Sequence, residues 1–136
     1  MVAATYYKGE LIVSTTGSLD SLFVGLGKSY IEKCPNLLKK LKENENLTAL
    51  FECCDPSDPH IVDEASGLYL LSIRDKDGYL YNQHEYLKSY HVDNNLYLPE
   101  YEGELLFGTI KEKAQKAKHE GYVIYSLSGD RCVKIK

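Results

Sequence analysis

The last stretch of the chain, EGYVIYSLSGDRCVKIK, runs from Glu120 to Lys136 and places Lys134 and Lys136 two residues apart on what reads as a strand. That spacing sends both ammonium groups to one face. Taken alone, two cations so placed are ordinarily surface charges, and in a chain whose net charge is -4 the alternative is that they serve an anion. Glu52 is the second residue with evident chemical potential, an acid set inside the apolar run ALFECC. An unpaired buried carboxylate costs several kcal/mol, so Glu52 must face solvent or hold a partner. Alternation gives Leu50, Glu52 and Cys54 one face of the strand, and Phe51 and Cys53 the other.

The elements that carry these residues follow from pattern. VAATYY and ELIVSTT, joined at Lys8-Gly9, predict a hairpin from Val2 to Thr16. A helix follows, with Ser18 as N-cap and Leu19, Leu22, Phe23 and Leu26 at helical spacing. Pro35 opens a second helix, PNLLKKLKENEN, with Leu37, Leu38 and Leu41 on its apolar side. Leu47 to Cys54 forms the strand of Glu52, which ends where the two Asp-Pro steps of DPSDPH break regular structure.

GLYLLSIR reads as a central strand buried on both faces, and Asp77-Gly78 turns it into YLYN. Asn82 and Glu85 have the form of a capping box for a short helix to about His91. DNNLYLPEYEGE reads as loop, Leu105 to His119 as a helix, and the chain closes on a hairpin. Blocks and hairpins, rather than strict β-α-β alternation, predict an α+β fold with a mainly antiparallel sheet and flanking helices.

Bulk properties narrow the function classes. The 136 residues suit a single domain, and the 43% hydrophobic and 26% charged content suits a folded one. No apolar run reaches the roughly 18 residues of a membrane span, and the first residues lack the pattern of a secretory signal. Cysteines 34, 53, 54 and 132 show no C-x-x-C spacing, and read as reduced, mostly buried thiols of a cytoplasmic protein. A pI near 5.6 disfavours coating of nucleic acid by charge alone but leaves room for a local basic pocket. The 12 tyrosines suit half-buried strands.

Order along the chain adds a resemblance. TALFECCDPSDPHIV, then LYLLSIR, then EGYVIYSLSGDRCVKIK resemble the third to fifth motifs of the phage-type, tRNA-repairing RNA ligases, a family of the covalent nucleotidyltransferase superfamily. ELIVSTTGS is similar to the strand and Gly-Ser step just after that family's nucleophile motif. The resemblance spans nearly the whole chain. It implies a ligase adenylation domain that uses ATP with Mg²⁺: AMP passes to a lysine, then to an RNA 5'-phosphate, and leaves when the strand is sealed. It also implies that Lys134 and Lys136 neutralise the α-phosphate, that Glu120 holds the metal, and that Glu52 accepts a hydrogen bond from the ribose. Tyr69 would stack on adenine, beside the equally open reading of Tyr69 as a core aromatic.

The sequence contains no K-x-D-G, the motif whose lysine attacks the α-phosphate. Lys8-Gly9-Glu10 echoes it only superficially, from the hairpin tip. The expectation is therefore a truncated adenylyltransferase core over residues 1–136, incomplete and inactive in covalent AMP transfer. The alternative is a non-catalytic module reusing the fold, which binds nucleotide, RNA 5'-phosphate ends or a partner protein. A sheet that lacks its N-terminal neighbour also exposes an edge, which favours self-association.

Overall fold

Lys8 and Gly9 both adopt positive φ, 50° and 79°, and so form the two-residue turn whose twist matches that of a hairpin. The turn joins β1 (Val2–Tyr7) to β2 (Glu10–Thr15) in the computed structural model, which describes residues 1–55, 67–90, 96–101, 103, 107–116, 122–125 and 132–135. Two helices follow, α1 (Leu22–Glu32) and α2 (Pro35–Glu43), then β3 (Thr48–Cys54) and β4 (Gly67–Arg74). After these come β5 (Leu80–Tyr81), α3 (His84–Lys88), β6 (Leu96–Tyr97), α4 (Phe107–Lys116), β7 (Tyr122–Tyr125) and β8 (Cys132–Ile135).

The result is a mixed α+β fold with a mainly antiparallel sheet. Six strands form it, in the order β2-β1-β3-β4-β5, with β6 added parallel to β4; β7 and β8 make a second, two-stranded sheet. β4 lies inside the larger sheet, as its apolar sequence predicts, and most of its residues are buried. Between β3 and β4 the register slips: Leu50 faces Ser72 but Phe51 faces Leu70, so Leu71 is an extra residue on β4. The slip lets both Leu70 and Ile73 face the core despite their odd spacing.

That core joins Val2, Ala4, Ala49, Phe51, Leu68, Leu70 and Ile73 of the sheet to Val24 and Ile31 of α1 and Leu37 and Leu41 of α2. Both helices therefore cover one face of the sheet. α2 begins at Pro35 as predicted, because proline lacks only an N–H that the first turn leaves unpaired. α1 departs from expectation. Its N-cap is Ser21, whose side chain accepts from the Val24 N–H, and not Ser18. Leu19, Leu22 and Phe23 are consequently exposed, while Val24, Gly27 and Ile31 face the sheet.

The short helix α3 is capped by Gln83, with no side-chain cap bond, so the Asn82–Glu85 capping box is not formed. Asn82 Nδ2 is instead buried with no hydrogen-bond partner among the described residues. Tyr79, Tyr81, Tyr86 and Tyr90 form a ladder of ring contacts at 4.8, 5.3 and 5.6 Å, and Lys40 of α2 caps its end 4.5 Å above Tyr90. Cys34, Cys53 and Cys54 are buried and Cys132 is exposed, and none of the four forms a disulfide. Among the described residues no helix is long and apolar enough to cross a membrane.

Gly27 sets the distance between α1 and the sheet, since a Cβ there would lie 2.8 Å from Val2 Cγ1. Gly25, on the same helix, would meet nothing within 4 Å. Gly27→Ala should therefore lower stability in denaturant unfolding by about 1–3 kcal/mol, the usual range for overpacking. Gly25→Ala should raise it by about 0.5–1 kcal/mol through helix propensity alone. Equal responses at the two positions would mean that α1 is not seated against Val2.

Candidate functional site

Alternation along β3 turns Phe51 and Cys53 to the helices and Glu52 to the opposite face. The ladder then sets Glu52 directly across from Tyr69 on β4, and Tyr69 beside Tyr97 on β6. Side chains paired in this way stand about 5 Å apart at Cβ. Glu52, Tyr69 and Tyr97 thus form one row across three strands, on the side of the sheet away from α1 and α2. The two rings stack with centroids 5.2 Å apart and planes inclined by 26°.

Glu52 is neither buried nor fully solvated, its side chain being 43% exposed. Its Oε2 lies 3.8 Å from the Met1 amine. At that exposure the pair contributes at most about 1 kcal/mol, so the carboxylate remains available to another partner. Glu52 also borders a recess of about 240 Å³, lined by Met1, Val2, Thr15, Thr16, Phe23 and Cys53. The recess has apolar walls, two hydroxyls and one acid. Beyond Thr15 lies a broader, open depression of about 420 Å³, formed by Ser14 and the turn through Gly17, Ser18, Leu19 and Asp20.

The turn is held from within. Thr15 N–H donates to the Ser18 carbonyl at 2.9 Å and Ser18 N–H donates back at 3.2 Å, with Gly17 at φ 84°. The Gly-Ser step of STTGS therefore closes the end of β2 and delivers the chain to the Ser21 cap of α1. Hydroxyls and a carboxylate of this kind can exchange hydrogen bonds with a polyol, and a stacked tyrosine pair offers a flat apolar wall.

Of the residues singled out in the sequence, the fold brings Glu52 and Tyr69 together. Lys134 lies exposed on β8, paired with Val123 of β7, in a ladder separate from the six-stranded sheet. Glu120 and Lys136 lie outside the described residues. Among the described residues no group of three or more His, Cys, Asp or Glu side chains could hold a metal ion. Tyr97 was not anticipated, since its segment reads as loop; the Leu-Tyr-Leu alternation within DNNLYLPEYEGE is the signal that marks it. No protein-family model matches the chain, and no curated protein matches it either. The ligase resemblance therefore rests on the sequence motifs.

Beyond Glu52, the end of β3 is anchored at Asp55, whose Oδ2 accepts a 2.6 Å hydrogen bond from the Tyr30 hydroxyl of α1. That bond, with burial and the negative charge of Asp55, pushes the Tyr30 pKa up to about 12. The folded chain thus favours neutral Tyr30. Its contribution is whole below the unfolded value of about 10 and is lost as pH rises through about 12. Burial shifts Tyr81, Tyr90 and Tyr125 the same way, so only a variant isolates Tyr30. Tyr30→Phe should be less stable than the parent by about 1 kcal/mol or less at neutral pH. The gap in unfolding free energy should narrow between about pH 10 and about pH 12. A gap independent of pH would show that Asp55 does not hold the phenol.

Proposed function

We propose that this chain is a nucleotide-binding core of the RNA-ligase type, which takes an adenine nucleotide but does not form the lysyl-AMP intermediate by itself. The observation that supports it most is the placing of Glu52 directly opposite Tyr69, with Tyr97 stacked behind. An acid suited to a ribose hydroxyl and an aromatic suited to a purine become neighbours, although residues 52 and 69 sit in different motifs. In this reading Glu52 accepts from the ribose and the tyrosine pair flanks the base. Lys134 and Lys136 meet the phosphate, whose charge favours cations over any neutral donor.

Mg²⁺ enters the reading only through Glu120, and the described residues offer no metal cluster, so no step is routed through the ion. The absence of K-x-D-G from the sequence favours binding without covalent transfer. RNA 5'-phosphate ends, which carry the same kind of anion, are the second expected ligand.

Calorimetry with adenosine, AMP, ATP and a 5'-phosphorylated oligonucleotide tests this. AMP should bind the parent chain, and Glu52→Gln should weaken it about tenfold or more, the effect of losing a charge-assisted hydrogen bond. Lys134→Ala should erase the advantage of AMP over adenosine while leaving adenosine binding unchanged. ATP labelled at the α-phosphate should leave no label on the denatured chain. Retained label would overturn the non-covalent reading, and no binding of any of the four ligands would leave a protein-interaction module in its place.

A further inference from the structure

The outer edge of β2 carries backbone groups that its own hairpin cannot satisfy. In a two-residue hairpin the residues flanking the turn, here Tyr7 and Glu10, form a hydrogen-bonded pair. Glu10, Ile12 and Ser14 therefore turn their N–H and C=O groups towards β1, while Leu11, Val13 and Thr15 turn theirs outward. Both outward groups of Thr15 are taken by Ser18. Those of Leu11 and Val13 have no backbone partner among the described residues, because β2 ends the strand order and pairs only with β1.

Natural edge strands are usually blunted by lysine, proline, a bulge or an inward charge. The segment ELIVST has none of these between Leu11 and Thr15, and its single charge stands at one end.

We propose that this edge pairs with β2 of a second copy of the chain, antiparallel and symmetric about Ile12. A twofold axis perpendicular to the sheet relates residues of like face, so paired positions must share parity. Centring the axis on Ile12 sets Leu11 opposite Val13 of the other copy, and Val13 opposite its Leu11. Each such pair exchanges both of its N–H to O=C bonds, so every outward group of Leu11 and Val13 in both copies is satisfied. Centring on Leu11 or Val13 instead would leave some of these groups facing the hairpin tip or the closed Thr15.

The ends of the ladder fit as well. Ser18 occupies the edge beside Thr15, and the opposing chain reaches that point at its Gly9, where the turn carries it away towards its own β1. Glu10 comes opposite Ser14, so no like charges meet. The half-buried Ile12 side chains face each other across the axis, on the side of the sheet away from the helices. The partner is thus a second copy of this chain, and the inference does not depend on nucleotide binding.

Ile12→Lys tests it, because the substitution sets two ammonium groups across the axis while its stem can lie beside Thr5. Sedimentation equilibrium should show a concentration-dependent dimer of the parent chain, and a dissociation constant at least about tenfold larger for the variant. Circular dichroism should confirm that the variant is folded. In the parent, amide exchange at Leu11 and Val13 should slow as concentration rises through the dissociation constant. A parent chain that stays monomeric up to millimolar concentration overturns the proposal. So does a folded variant that dimerises as the parent does. Protection of Leu11 and Val13 that is the same at all concentrations would show that the chain covers its own edge, and would overturn it too.

Discussion

Pairing of β3 with β4 divides the sheet into a face that packs beneath α1 and α2 and a face on which Glu52 stays partly in solvent. It spans every residue of β3, from Thr48 opposite Arg74 to Cys54 opposite Gly67. Were the register to slip by one residue along its length, every side chain would exchange faces, and the acid of β3 would enter the core. Glu52 would then need a buried partner. The observed register spares it that, because Phe51 and Cys53 fill the helix side while Glu52 keeps 43% of its side chain in solvent. The extra residue at Leu71 allows one strand to serve both demands. Below the bulge β4 follows Phe51 with Leu70; above it, Ile73 rather than Ser72 meets the core.

The helix layer reinforces this division. α1 approaches the sheet at Gly27, where the absence of a side chain lets Val2 and Val13 come into van der Waals range. At its start, the same helix leaves Phe23 at the mouth of the recess that also contains Thr15, Thr16 and Glu52. The Tyr30–Asp55 bond then ties the last turn of α1 to the residue that follows β3. The recess is thus bounded by elements fixed relative to one another at both ends. Its hydroxyls are held by a turn whose backbone bonds are already made, so a ligand would not have to order them.

Much of this was legible in the sequence, for identifiable reasons. Lys8-Gly9 between two β-rich runs leaves few alternatives to a hairpin, and Pro35 can hardly be other than a helix start. An acid in an apolar run draws attention to Glu52 without any structure. Other features depend on contacts that no local pattern encodes. LFVGLG can present either of two overlapping stripes, and the choice fell to Val24, Gly27 and Ile31 because only glycine permits the close approach to Val2. A bulge leaves alternation intact on either side, so Leu71 could not be singled out. Asn82 and Glu85 have capping-box spacing, yet the helix starts one residue later than the box requires and the Asn82 amide is left without a partner among the described residues. Tyr97 belongs to a strand of two residues, too short to show a period. The meeting of Glu52 with Tyr69 is a matter of register between strands joined through residues 56–66, and chain spacing does not determine it.

The row and the edge occupy one sheet but make different demands on it. Strand β1 lies between β2 and β3, so pairing at the β2 edge leaves Glu52, Tyr69 and Tyr97 uncovered. An axis perpendicular to the sheet also keeps like faces together. Both copies would carry their helices on one side of a continuous sheet and their acid-tyrosine rows on the other. A ligand that spans such a surface meets two identical rows related by the twofold axis, whereas a mononucleotide meets only one. The hairpin therefore acts on both levels: its turn fixes which residues of β2 point outward, and β1, held by that turn, fixes the place of β3 and with it the position of Glu52.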